Sequence, residues 1–132
     1  MLYSFPLLFL LGRVLLGGYF VLSGIGHFRN FQGTVGYAKS KSVPLASIAV
    51  AVTGLMMIAG GAGILLGAWV QYAIFLLALF LIVVSFKMHQ YWKIDDPMQK
   101  MGEKINFQKN LGLLGAILML LAIPLSVWTS LL

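Results

Sequence analysis

Two histidines, one arginine set in an apolar run and one polar segment carry most of the chemistry in this sequence. The segment begins Phe86-Lys87-Met88-His89-Gln90-Tyr91-Trp92-Lys93-Ile94-Asp95-Asp96-Pro97 and runs on to Asn106-Phe107-Gln108-Lys109-Asn110. It holds all three acidic residues and five of the nine Lys and Arg. His89, Trp92, Lys109 and Asn110, joined by His27, could hydrogen-bond the polar head of an amphipathic molecule, and an imidazole can also relay a proton. Plainer roles compete. A histidine at a helix C-terminus caps carbonyls, and a tryptophan at a membrane surface anchors its helix.

Arg13 is the other chemical group. Arg13, Gly17, Phe20, Gly24 and His27 recur at steps of four, three, four and three, which puts them on one helix face. Two glycines on that face allow close approach of a neighbouring helix or of a flat ligand. An arginine inside a membrane costs about 2.5–3.5 kcal/mol on insertion scales, so it turns inward or snorkels. No span contains an acidic residue. The counter-group of Arg13 must therefore be a carbonyl, an aromatic face, water or a ligand, with Gln71 a neighbour to consider.

Other chemistries are closed or disfavoured. The chain has no cysteine, which removes thiolate nucleophiles, disulfide exchange and iron–sulfur ligation. Three carboxylates are too few to converge on a metal. The phosphate-binding glycine loop, the dinucleotide fingerprint, HExxH and the serine elbow are all missing. Two histidines could ligate a haem axially, but both fall at helix ends and no attachment motif accompanies them. The seven methionines, Met56-Met57 included, read as gap-filling core.

The elements that must position these residues follow from composition. Hydrophobic residues make up 61% of the 132 and charged ones only 9%, against roughly 25% charged in an ordinary soluble domain. Too few polar side chains exist to coat a water-facing surface, so the surrounding solvent must be lipid. The expected fold is a single all-α membrane domain over 1–132, a bundle of four transmembrane helices at about 5–27, 44–67, 70–88 and 107–128. The first apolar stretch lacks a basic n-region and exceeds a typical h-region, so it reads as a retained span rather than a cleavable signal.

Finer expectations concern the connections. Phe31, Val35 and Ala38 lie at helical spacing, so part of the first polar loop should lie flat at the interface. Gly67-Ala68-Trp69 makes a tight hairpin, with Trp69 and Tyr72 as an aromatic anchor. Gln71, Phe75, Ala78, Ile82, Ser85 and His89 fall on one face of span three. Asp96, Pro97 and Gln99 form a capping box, opening a short interfacial helix at Pro97–Lys104 between spans three and four. Asn106 then caps span four, and Pro124 kinks its far end.

The two loops between spans one and two and between spans three and four, with the span ends that flank them at Lys87 and Lys109, carry eight of the nine Lys and Arg. The positive-inside rule puts loops 28–43 and 89–106 in the cytoplasm and both termini outside a plasma membrane. The net charge of +6 then speaks for anionic lipid rather than nucleic acid. Spans one and three run in the same direction, so His27 and His89 should emerge on the same side.

The run Gly12-Arg13, Phe20 and Ser23-Gly24-Ile25-Gly26-His27 resembles the opening element of the DoxX family. The segment from Phe86 to Pro97, with Asn106-Phe107-Gln108-Lys109-Asn110-Leu111-Gly112-Leu113-Leu114-Gly115, resembles that family's His, Trp, Asp-Pro and Lys-Asn signature. The resemblance covers nearly the whole chain. It implies a four-helix membrane bundle, quinone-coupled redox work of the kind done by a thiosulfate:quinone oxidoreductase, and protection against oxidative stress. Two positions depart from the pattern. Thr53 lies about where members often carry a Glu in span two, and His27 stands where many have Lys.

Together these readings give a ligand site between spans one and three made of Arg13, Gly24, His27, His89, Trp92, Lys109 and Asn110. The expected occupant is a quinone or another amphipathic or lipid molecule, with no covalent cofactor. Electron transfer would need that quinone or a soluble or membrane redox partner. The alternatives are a non-catalytic scaffold for a soluble enzyme and, further off, a small-solute carrier. The small residues of span two leave room for a homo-oligomer.

Overall fold

In lipid every backbone N–H and C=O must find a partner within the protein, so apolar runs close into helices. The computed structural model describes residues 5–129. Four of its helices are long and apolar enough to cross a membrane. These are α1 (Pro6–Arg29), α3 (Ala46–Leu66), α4 (Val70–Met88) and α5 (Pro97–Met119), and the described residues contain no strand. A short α2 (Phe31–Ser40) follows α1 and buries Val35 and Ala38, as the spacing in the first loop foretells. A five-residue α6 (Leu125–Thr129) ends the described chain.

The helices form a row rather than a closed square. α1 packs on α3, α3 on α4 and α4 on α5, while α1 and α5 stand apart. The α1–α3 contact is the tightest. A Cβ at Gly17 would lie 2.7 Å from the Gly61 carbonyl oxygen, and one at Gly24 would lie 2.6 Å from that of Gly54. The glycines are seven residues apart on both antiparallel helices, so the backbones touch at two levels. Small residues supply this contact because apolar side chains gain nothing by leaving lipid for one another. Gly24 thus meets a helix and not a flat ligand. The outward faces keep the lipid coat: Leu7, Leu15, Leu22 and Phe75 are all more than 60% exposed.

At the far end of the bundle Arg13 acts as a staple. It is 2% exposed. Its Nε donates to the Ile64 carbonyl at 3.2 Å, Nη2 to Leu65 at 3.0 Å and Nη1 to Trp128 at 3.1 Å. The first two acceptors are last-turn carbonyls of α3, which have no helical N–H to bond. The Phe9 and Trp128 rings flank the guanidinium at 5.7 and 5.5 Å. Carbonyls and aromatic faces are the predicted counter-groups, while Gln71 is exposed and takes no part. Gly67 ends α3 at φ 66°, and a Cβ there would sit 2.6 Å from Arg13 Nη2. The α3–α4 hairpin therefore turns tightly, and the left-handed Trp69 (φ 53°) follows it.

Several expectations need correction. No separate interfacial helix spans Pro97–Lys104, because those residues are the first turns of α5. Asp96 does cap it, accepting from the Gln99 N–H at 2.9 Å. With nothing to stop it before Phe107, propagation carries the helix through, since each added residue makes a hydrogen bond once the nucleus exists. Asn106 is accordingly mid-helix and caps nothing. Twenty-three residues rise about 35 Å, more than the ~30 Å hydrocarbon core, so the first turns of α5 project beyond it. On α4 the buried face is Val70, Ala73, Ile74, Leu77, Ala78, Phe80, Leu81 and Ser85. Gln71, Phe75 and Ile82 point outward because α4 is covered on two sides, by α3 and α5, and the covered arc is displaced from the face inferred by spacing. Trp128 is 1% exposed and packed edge-on to Phe9 at 4.9 Å. The helical run breaks at Pro124, between α5 with its 3-10 turn and α6.

Two outcomes test this account. Gly17→Val forces a side chain onto the α3 backbone and should lower stability in detergent by about 1–3 kcal/mol, whereas Gly18→Ala, with open space around it, should be neutral in the same thermal melt. Arg13→Leu leaves three carbonyls unmet and should cost about 3 kcal/mol or more in denaturant titration, since each buried orphan acceptor costs about 1–3 kcal/mol.

Candidate functional site

Because α1 and α5 stand apart, a groove of about 930 Å³ opens between them, with α3 and α4 as its back wall. Leu15, Leu16 and Phe20 line it from α1, Met57 from α3, Phe80, Leu81 and Val84 from α4, and Leu113 and Ala116 from α5. Its polar lining lies at the end where α1 and α4 finish: Ser23 and His27, His89, then Asn106, Lys109 and Asn110 on α5, with Tyr37 of α2 above. One end is polar and the rest is apolar apart from the phenol of Tyr19.

Each polar side chain has a structural reason for its place. His27 sits in the last turn of α1, where its Nδ1 donates to the Ser23 carbonyl at 3.1 Å. His89 is the residue that ends α4. Its Nδ1 meets Glu103 Oε2 at 2.5 Å. Glu103 also accepts from the Tyr37 hydroxyl at 2.9 Å and pairs with Lys41 Nζ at 3.3 Å. One carboxylate thus ties α2, the end of α4 and α5 together. Burial, then the hydrogen bond and the charge of Glu103, push the Tyr37 phenol up to about 12, so it stays a donor. Lys109 is exposed to the groove and has no acidic partner among the described residues.

The structure brings four of the sequence-derived site residues together, His27, His89, Lys109 and Asn110, in a groove lined by spans one and three, α1 and α4, and also by α5. It separates the other three. Arg13 is spent on backbone carbonyls at the opposite end, and Gly24 faces the α3 backbone. Trp92 sits in a 3-10 turn at Tyr91–Lys93, packed with Phe86, Tyr91 and Phe107 at 5.2–6.4 Å between ring centres. It braces the turn and does not line the groove. Glu103 and Asn106 are the residues that sequence reasoning missed. Glu103, Asn106 and Asn110 lie at steps of three and four, a face that shows only if α5 begins at Pro97.

The carboxylate should be what holds α2 down. Glu103→Ala removes the acceptor shared by Tyr37 of α2 and Lys41 just after it, and should raise hydrogen-exchange rates across residues 31–40 about tenfold, while α3 and α4 keep their protection.

Comparison with known proteins agrees with this architecture. A model of the DoxX family matches residues 8–90. Inner membrane protein YphA of Escherichia coli (strain K12) is 28% identical over 116 residues, which cover 87% of this chain and 81% of that protein. No solved structure matches the chain. The family match includes the α1 glycine face, His27 and His89, and stops before Glu103. Four membrane-length helices and a family match over more than half of the sequence lead to one assignment: this chain is a multi-pass integral membrane protein of the DoxX family.

Proposed function

We propose that the groove between α1 and α5 holds an amphipathic molecule with an oxygen-bearing ring head, a quinone being the type that fits, and that the chain is a quinone-linked membrane subunit. The observation that carries this reading is the division of one groove into a polar end and an apolar run. An isoprenoid or alkyl tail loses little by moving from lipid to the Leu15, Leu16, Leu113 and Ala116 walls. The head exchanges water or headgroup contacts for His27, His89, Lys109 and Asn110, and such convergent polar groups fix its orientation. The gap between α1 and α5 admits the molecule sideways from the bilayer.

The same reading puts the basic end in the cytoplasm and both termini outside. Of the nine Lys and Arg, only Arg13 lies at the other end of the bundle. Electrons would pass between the bound quinone and a partner protein. A second reading, a scaffold that docks a soluble enzyme, draws on the exposed Met98, Met101 and Ile105 beside Lys100 and Lys104 on the projecting turns of α5.

Ala116→Trp fills the groove from an exposed α5 position without touching the polar end. Wild-type protein purified in mild detergent should carry isoprenoid quinone, measured by solvent extraction and mass spectrometry. The variant should retain at least about tenfold less, equivalent to about 1.4 kcal/mol. Equal retention would remove the groove as the site. Capture of a soluble enzyme that Met98→Asp and Met101→Asp abolish, with no quinone present, would favour the scaffold.

A further inference from the structure

The groove contains two imidazoles whose tautomers are set by their partners. A backbone carbonyl can only accept, so His27 Nδ1, 3.1 Å from the Ser23 oxygen, carries its proton. Glu103 already accepts from Tyr37 and pairs with Lys41, so it faces His89 as an ionised acceptor and His89 Nδ1 is likewise the donor. In the neutral ring each Nε2 then offers a lone pair. Neither Nε2 has a partner among the described residues, and both histidines line the groove. Its polar end therefore presents two acceptors beside the donors Lys109 and Asn110. A purely carbonyl head would use the donors and leave the acceptors unmet.

We propose that the groove selects a head bearing a weakly acidic hydroxyl, a phenol or hydroquinone, and that His89, positioned by Glu103, accepts its proton. This rests on the reading that the groove holds an amphipathic ligand. In the step, the head's O–H bond breaks heterolytically and the electron pair stays on oxygen. The proton goes to His89 Nε2, and the imidazolium lies between the new oxyanion and the Glu103 carboxylate. Lys109, on the same wall, faces the oxyanion. No electron moves, so no oxidant is required. The charged and titratable groups around His89 are Glu103 and Lys109 from α5, Tyr37 from α2 with Lys41 just after it, and Tyr19 and His27 from α1. Glu103 is a positioning residue, as the carboxylate behind a histidine fixes the ring's tautomer and orientation.

The test uses the full chain in detergent and two probes, 2-decyl-4-nitrophenol and its O-methyl ether. They differ only in the hydroxyl, and the phenolate has its own absorbance. The phenol should bind about tenfold tighter than the ether, the size of one hydrogen bond to a charged partner. Its phenolate band should appear at lower pH on the protein than in empty micelles. Glu103→Gln should move that titration up by about one unit with ether affinity unchanged, and Glu103→Asp should restore part of it. Retained ether affinity certifies an intact groove in each variant. His89→Gln, which keeps a hydrogen-bonding end without a basic ring, should abolish the shift altogether. Equal affinity for the two probes, or a phenolate titration that Glu103→Gln and His89→Gln leave unmoved, overturns the proton-accepting role while the groove stands. Failure of both probes to bind overturns this inference and the groove together.

Discussion

Backbone-to-backbone contact between α1 and α3 is the constraint on which the arrangement rests. Gly17 against Gly61 and Gly24 against Gly54 leave no room for even a methyl group. In lipid this closeness is what gives dispersion contacts and helix–helix affinity their strength. Once α1 is pressed flat against α3, and α3 against α4, α5 has only α4 to pack on. A row of four helices has two ends, and the space between those ends becomes a groove.

Two polar staples keep the row from opening, one toward each end of the bundle. At one, Arg13 gathers last-turn carbonyls of α3 and the carbonyl of Trp128, so α1, α3 and the end of the chain are joined by a single guanidinium. At the other, Glu103 gathers Tyr37 from α2, Lys41 just after it and His89 from the end of α4. Both use one multivalent charged group to satisfy several partners, which suits a low-dielectric setting where an unpaired polar group is costly. The apolar middle of the groove lies between them.

The single carboxylate near the histidines also alters the reading of Thr53. Its hydroxyl bonds back to the Ala49 carbonyl at 2.8 Å, which satisfies it within its own helix. The acid that faces the polar end instead arrives from α5, through the residue that pairs with His89.

The sequence by itself determined the lipid-facing class, the number of spans, the tight α3–α4 hairpin, the Asp96 cap and the buried stripe of α1. Each of these is local: hydropathy over about 20 residues, turn chemistry, or a period of 3.6 along one helix. It also brought the two histidines to one end, because spans one and three must run the same way. Only the tertiary structure decided which helices touch. The stripe holding Arg13, Gly24 and His27 looked like one surface for one ligand, yet α3 covers its glycines, carbonyls consume its arginine, and only Phe20 and His27 reach the groove. Glu103 stayed hidden for a related reason. Its partners lie 66, 62 and 14 residues away in sequence, and such meetings depend on how helices pack, which no periodicity along a single helix encodes.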